Sequence, residues 1–170
     1  ALPSLLGIHS SDPVHLFAWG PEHRMVYVTT SGFLAFKQAN LDPWFLYHHG
    51  LLPLGTNPKH VCWVEHHLFV ADDSGQLFHV DAENELAPSL LEIINFDATI
   101  TDLTAGTNGD EDLLICADDL VLGHLLENGY FEILATAGLA SGAKIKLASY
   151  DAVQVGLLAT DAPSIARFHY

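Results

Sequence analysis

The sequence predicts an all-β fold assembled from a repeated four-stranded antiparallel unit. Three observations carry that expectation. A hairpin pattern recurs at about 42 to 46 residues, strand-like runs precede every copy of it, and turn residues interrupt each apolar segment before a helix can form.

The clearest hairpin spans residues 68–81. Its arms, Leu68-Phe69-Val70-Ala71 and Leu77-Phe78-His79-Val80, are apolar, β-branched or aromatic, and Asp72-Asp73-Ser74-Gly75 joins them. Gly tolerates positive φ and Asp caps its own backbone, so this tetrapeptide is a turn with a mechanism. Upstream by 43 positions lies Met25-Val26-Tyr27-Val28, followed by Ser31-Gly32 and the arm 33–36. Downstream by 46 positions, residues 114–119 lead into 120–125, which places Asp118-Asp119 at the turn occupied by Asp72-Asp73. Another 42 positions on, Ala159-Thr160-Asp161 passes through Ala162-Pro163-Ser164 into 165–168.

Each hairpin follows a strand-like run, at 14–19, 60–64, 100–105 and 144–150, and a further apolar segment lies before each of these, at 5–8, 44–54, 90–96 and 130–135. Grouped this way, a single domain 1–170 divides into repeats 1–40, 41–86, 87–128 and 129–170. Helix is disfavoured because apolar residues do not recur at three and four, with Ser89–Asn95 the one segment expected as a short helix.

Four short antiparallel strands repeating at this length are the signature of β-propeller blades, each too small to bury its faces alone. The hairpin 68–81 resembles the third and fourth strands of a WD40 (WD repeat) blade and also the strand pair of quinoprotein-type propellers. Val80-Asp81 is its nearest approach to the Trp-Asp pair. A second resemblance lies at Asn108-Gly109-Asp110-Glu111-Asp112, which is similar to the calcium loop of integrin-α-type propellers. It implies Asn108, Asp110 and Asp112 as Ca²⁺ ligands, although an acidic solvent-facing turn explains the same residues. Four units either close into a small ring, pair with another chain, or belong to a larger ring. The last two are favoured, since open blade ends leave apolar faces and strand edges uncovered.

Composition narrows the function. With 170 residues, 49% of them hydrophobic, the chain can fill a sizeable core. Six Lys and Arg against 21 Asp and Glu give a formal charge of −15, and no basic residue other than His lies between Lys59 and Lys144. Nucleic acid binding needs clustered cations, so it is excluded, and a basic protein surface is the expected partner. No apolar run approaches the roughly 18 residues a spanning helix requires, so no membrane insertion is expected. Cys62 and Cys116 lie in apolar strands and read as small buried hydrophobes. Without an Asn-x-Ser/Thr acceptor or a signal-peptide pattern, the chain is expected to be intracellular, cytoplasmic or nuclear.

No catalytic constellation emerges. Eleven histidines include His48-His49 and His66-His67, but neighbours on a strand point to opposite faces, so each pair is expected to give one ligand at most. Neither His-Glu-x-x-His nor Cys-x-x-Cys occurs, and no metal or cofactor is expected. Ser31 and Ser74 sit in Ser-Gly turns, not in a nucleophile elbow, and no glycine-rich phosphate loop is present. What remains is surface. Loops converging on one rim carry Glu22, His23, Glu65, His66, Asp81, Glu83, Asp110, Glu111 and Glu127, with Trp19, Trp44 and Trp63 as aromatic anchors. The expected function is a non-catalytic protein-interaction scaffold in a larger assembly, binding through this acidic rim and the blade ends. The alternative is a propeller that binds a small ligand or Ca²⁺ in its central channel, or a propeller enzyme.

Overall fold

A computed structural model describes residues 12–37, 45–48, 50–105, 112–139, 144–150, 155–161 and 165–169. They form fifteen strands in four antiparallel sheets. The first sheet holds β1 (Val14–Trp19), β2 (Met25–Thr29), β3 (Leu34–Lys37) and β4 (Phe45–His48) in that spatial order. The second holds β5 (Pro58–Val64), β6 (His67–Asp72), β7 (Gln76–Asp81) and β8 (Ser89–Asn95). The third holds β9 (Asp102–Ala105), β10 (Asp112–Ala117), β11 (Asp119–Leu125) and β12 (Phe131–Ala137), and the fourth β13 (Ile145–Tyr150), β14 (Val155–Thr160) and β15 (Ile165–His169).

Sequential strands pair with their neighbours, as hairpin chemistry dictates, and the sheets stack face to face. Val26, Val28, Leu34 and Phe36 of the first sheet pack against Trp63, Leu68, Val70, Phe78 and Val80 of the second. Phe69, Ala71 and Leu77, on the second sheet's other face, meet Leu113, Ile115 and Val121 of the third. Leu114, Cys116 and Leu120 continue to Ile145 of the fourth. Successive first strands are neighbours, β1 with β5, β5 with β9 and β9 with β13, so the inner edges converge while the fourth strands lie outside.

This stacking explains the burial patterns. Side chains alternate between faces along a strand. In β6, between two sheets, every residue from His67 to Asp72 is buried. In β1, by contrast, Leu16 and Ala18 pack on the first core while Phe17 and Trp19 turn outward.

Three sequence expectations change. Ser89–Asn95 is strand β8, paired along its length with β7, because cross-strand partners and not local periodicity decide a seven-residue apolar run. It closes the second sheet, so sheets end after residues 48, 95 and 137, one strand out of phase with repeat boundaries at 40, 86 and 128. The 46-residue shift is also out of register. Leu68 faces the preceding sheet, whereas Leu114 faces the following one, and a one-residue slip exchanges the faces of a whole strand. The hairpin turns differ accordingly. Asp72 Oδ1 accepts from the Ser74 and Gln76 backbone N–H groups. Asp118 alone forms a tip between paired Ala117 and Asp119, with φ of 71°, and its carboxylate meets Lys144 Nζ at 2.7 Å. Both cysteines are free thiols, pushed up to about 12 by burial.

Trp63 locks the first two sheets together. Its indole lies on Gly20, where an added Cβ would stand 2.7 Å from the ring, and its Nε1–H donates to Ala18 O at 3.2 Å. Truncating Trp63 to Ala should cost about 3 to 5 kcal/mol, and Gly20→Ala about 1 to 3 kcal/mol through overpacking. Both are read from urea unfolding midpoints at unchanged m-value.

Candidate functional site on the acidic rim

In an antiparallel four-stranded sheet the first-to-second and third-to-fourth connections leave by the same edge. At that edge the turn 20–24, the two-residue turn Glu65-His66, the loop 82–88 and the turn 126–130 come together. Arg24 ties the first of these to the third. Its Nη1 donates to Ala82 O and to Glu85 Oε1, each at 2.9 Å, and Nη2 stands 3.7 Å from Glu22. The Arg24 and Glu85 side chains are nearly buried, so removing one partner would strand the other's charge. His48 Nε2 meets Glu85 O at 2.8 Å, extending the clamp to the outer strand. Pro21, Glu22, Arg24, Glu65 and His66 line a cavity of about 250 Å³.

The rim backbone is held in an unusual conformation. Of the four non-glycine residues with left-handed φ among the described residues, Glu22, His23 and Glu65 are here, at 56°, 63° and 52°. L-residues there carry a cost of about 1 to 2 kcal/mol each.

Beneath the exposed acids lies a buried imidazole chain. His79, fully buried, stacks on Phe69 with centroids 4.5 Å apart. Its Nδ1 lies 3.0 Å from Glu92 Oε1, which also accepts from Phe131 N–H, and its Nε2 lies 2.8 Å from His67 Nδ1. The carboxylate oxygen accepts, so His79 carries its proton on Nδ1. His79 Nε2 then accepts from His67 Nδ1–H, which leaves the His67 Nε2 lone pair free. Burial lowers His67 to about 4, helped by the adjacent His66 and His79, and burial lowers His79 too, against the opposing pull of Glu92. Gly129, in the turn 126–130, approaches the His67 ring and brings a fourth connection to the cluster.

Of the residues expected on the rim, Glu22, His23, Glu65 and Glu83 are exposed, and His66 and Asp81 half-buried, their Nε2 and Oδ1 atoms 3.9 Å apart. Glu127 is exposed in the neighbouring turn 126–130. Trp44, Asn108, Asp110 and Glu111 lie outside the described residues, while Asp112, the remaining Ca²⁺ candidate, pairs with His124 Nδ1 at 2.7 Å. The anchors separate, with Trp63 in the core at 4% exposure and Trp19 at 62%. The expectation that adjacent histidines diverge fails at His66-His67. His66 belongs to a turn led by left-handed Glu65, not to a strand, and the two rings lie 4.2 Å apart. Arg24 and Glu85 were missed as site residues because nothing in their local sequence shows that residues 61 positions apart meet, and Glu92 because its pairing with His79 depends on the β7–β8 register.

No protein-family model matches the chain, and no curated protein matches its sequence. Solved structures do match. The chain superposes on the β-propeller domain of Cps50 (Swd1) from Myceliophteria thermophila with a TM-score of 0.72 at 11% identity, covering 95% of this chain and 58% of that one. It is similar to the periplasmic gluconolactonase of Pseudomonas aeruginosa, with a TM-score of 0.68 at 14% identity, covering 93% and 50%. BBS1N, solved in complex with ARL6DN, gives a TM-score of 0.62 at 12% identity, covering 95% and 53%. The fold is therefore that of a β-propeller, present as four successive sheets. The chain spans about half the length of the solved chains it matches. Its structural neighbours thus include a gluconolactonase, a β-propeller domain and a protein solved in complex with another.

The buried imidazoles give the fold a pH dependence. Below the ordinary His value of 6.5 the unfolded chain takes up protons that folded His67 refuses until about 4. Bound protons then favour the unfolded state, and stability falls as pH drops through that window. Urea midpoints should decline from pH 7 to pH 5, with a shallower slope in His67→Gln.

Proposed function

We propose that this chain is a non-catalytic protein-interaction scaffold and a subunit of a larger assembly. The observation that carries the proposal is the contrast between two tryptophans in equivalent positions. Trp63 pairs with Leu68 across β5 and β6, as Trp19 pairs with Met25 across β1 and β2, and Met25 and Leu68 are related by the 43-residue shift. Trp63 is buried between two sheets. Trp19, beside Phe17 and Tyr27, faces outward. An apolar aromatic face of this kind marks an interaction surface.

Its occupant is a partner's four-stranded blade, whose inner edge offers an indole what the first sheet offers Trp63: a glycine backbone, a carbonyl acceptor and an apolar sheet face. The acidic rim supports the same reading. Trp19 leads directly into the turn carrying Glu22, so aromatic anchor and acidic field are contiguous. Exposed Glu22, Glu65 and Glu83 would steer a basic protein surface, and a net charge of −15 repels nucleic acid.

Because Trp19 is exposed, Trp19→Asp should leave the chain's own stability within about 0.5 kcal/mol. A photo-cross-linking residue at Phe17, in complex purified from the source, should report contacts to strands of a different polypeptide, lost with Trp19→Asp. Cross-links only to a second copy of this chain, or complexes indifferent to Trp19→Asp, would overturn the proposal.

A further inference from the structure

We propose that His66, His67 and Asp81 form a binding site for a divalent transition-metal ion of the Zn²⁺ class. Each offers one donor atom, and the three donors lie within 4.8 Å of one another. A tetrahedral ion with bonds near 2.0 to 2.1 Å holds its donors about 3.3 Å apart. His66 Nε2 and Asp81 Oδ1 are already 3.9 Å apart, so small side-chain rotations complete the set.

The backbone prearranges these residues. His67 and Asp81 are direct cross-strand partners of β6 and β7. The Ala82 N–H donates to His66 O at 3.0 Å, tying the β5–β6 turn to the end of β7, and the Glu83 N–H donates to Asp81 Oδ1 at 2.9 Å, fixing the carboxylate. One of the three ligands, His66, thus comes from the β5–β6 turn, and the other two, His67 and Asp81, from facing positions of β6 and β7.

Donor chemistry selects the ion. Two imidazoles and one carboxylate suit Zn²⁺, Cu²⁺ or Ni²⁺, whereas Ca²⁺ and Mg²⁺ require oxygen ligands throughout. Surrounding groups fit as well. A ligating imidazole usually donates its other ring N–H to an acceptor that fixes the tautomer. His67 donates Nδ1–H to His79, which Glu92 orients in turn, and its Nε2 lone pair is left for the metal. Three protein ligands leave a coordination position for water or a partner's side chain, and His66 also lines the rim cavity. The ion would join the β5–β6 turn to the end of β7, two elements of the rim.

The test is isothermal titration of chelator-stripped chain with ZnCl₂. One ion should bind per chain, with CaCl₂ giving no heat at the same concentrations. His66→Gln and Asp81→Asn, both at partly exposed positions, should each weaken Zn²⁺ binding at least tenfold with little change in the urea midpoint. Glu92→Gln, acting only through His79, should weaken it less than His66→Gln does. Co²⁺ loaded in place of Zn²⁺ should show the visible absorption of a four-coordinate site, lost in His66→Gln. Absence of Zn²⁺ binding, or an affinity unchanged in both His66→Gln and Asp81→Asn, overturns the site.

Discussion

A four-stranded sheet whose two faces are both apolar cannot remain solvated on either, and every other feature of this chain answers to that constraint. The second and third sheets each bury one face against their predecessor and the other against their successor, so cores form between sheets and not within them. The second sheet, covered on both sides, accordingly has a β6 with no exposed position. Trp63 embodies the constraint in one residue. It fills the gap between the first two sheets, rests on a glycine because no side chain would fit beneath it, and satisfies its own N–H on the neighbouring strand.

The same packing places the rim. Once strands are stacked by their faces, turns on one edge are brought side by side, and residues distant in sequence become neighbours. Arg24 reaches Glu85 across 61 positions, and Glu92 accepts from Phe131 across 39. The rim thus has two layers of different character. Exposed acids give the outer layer its negative field, while the nearly buried Arg24–Glu85 pair and the His67–His79–Glu92 chain link the turns and strands beneath. Strain belongs to the same arrangement. Left-handed Glu22, His23 and Glu65 all lie in tight turns of this edge.

A protein-docking role and a metal site fit together on this surface without depending on each other. The first rests on an exposed aromatic face whose repeat-equivalent is buried, the second on three donors converging at the end of one sheet. A metal joining the Glu65-His66 turn to β7 would stiffen the part of the rim nearest the cavity.

By itself the sequence determined the all-β class, the hairpins at 25–36 and 68–81, and the strongly acidic surface, because alternation, turn chemistry and charge are local properties. It did not determine where one sheet ends and the next begins. Ser89–Asn95 carries no local mark of being a fourth strand, and its pairing with β7 settles the matter. Nor did it reveal that Leu114 faces the opposite way from Leu68, since register depends on the length of a hairpin tip and one residue reverses a strand. At the rim, the acids were legible residue by residue, as were the histidines. Their convergence was not. Glu65, left-handed in the two-residue turn that Val64 and His67 close, precedes His66, whose side chain meets those of His67 and Asp81. Composition and periodicity fixed what the strands were made of, while the packing of each sheet against the next decided which residues meet.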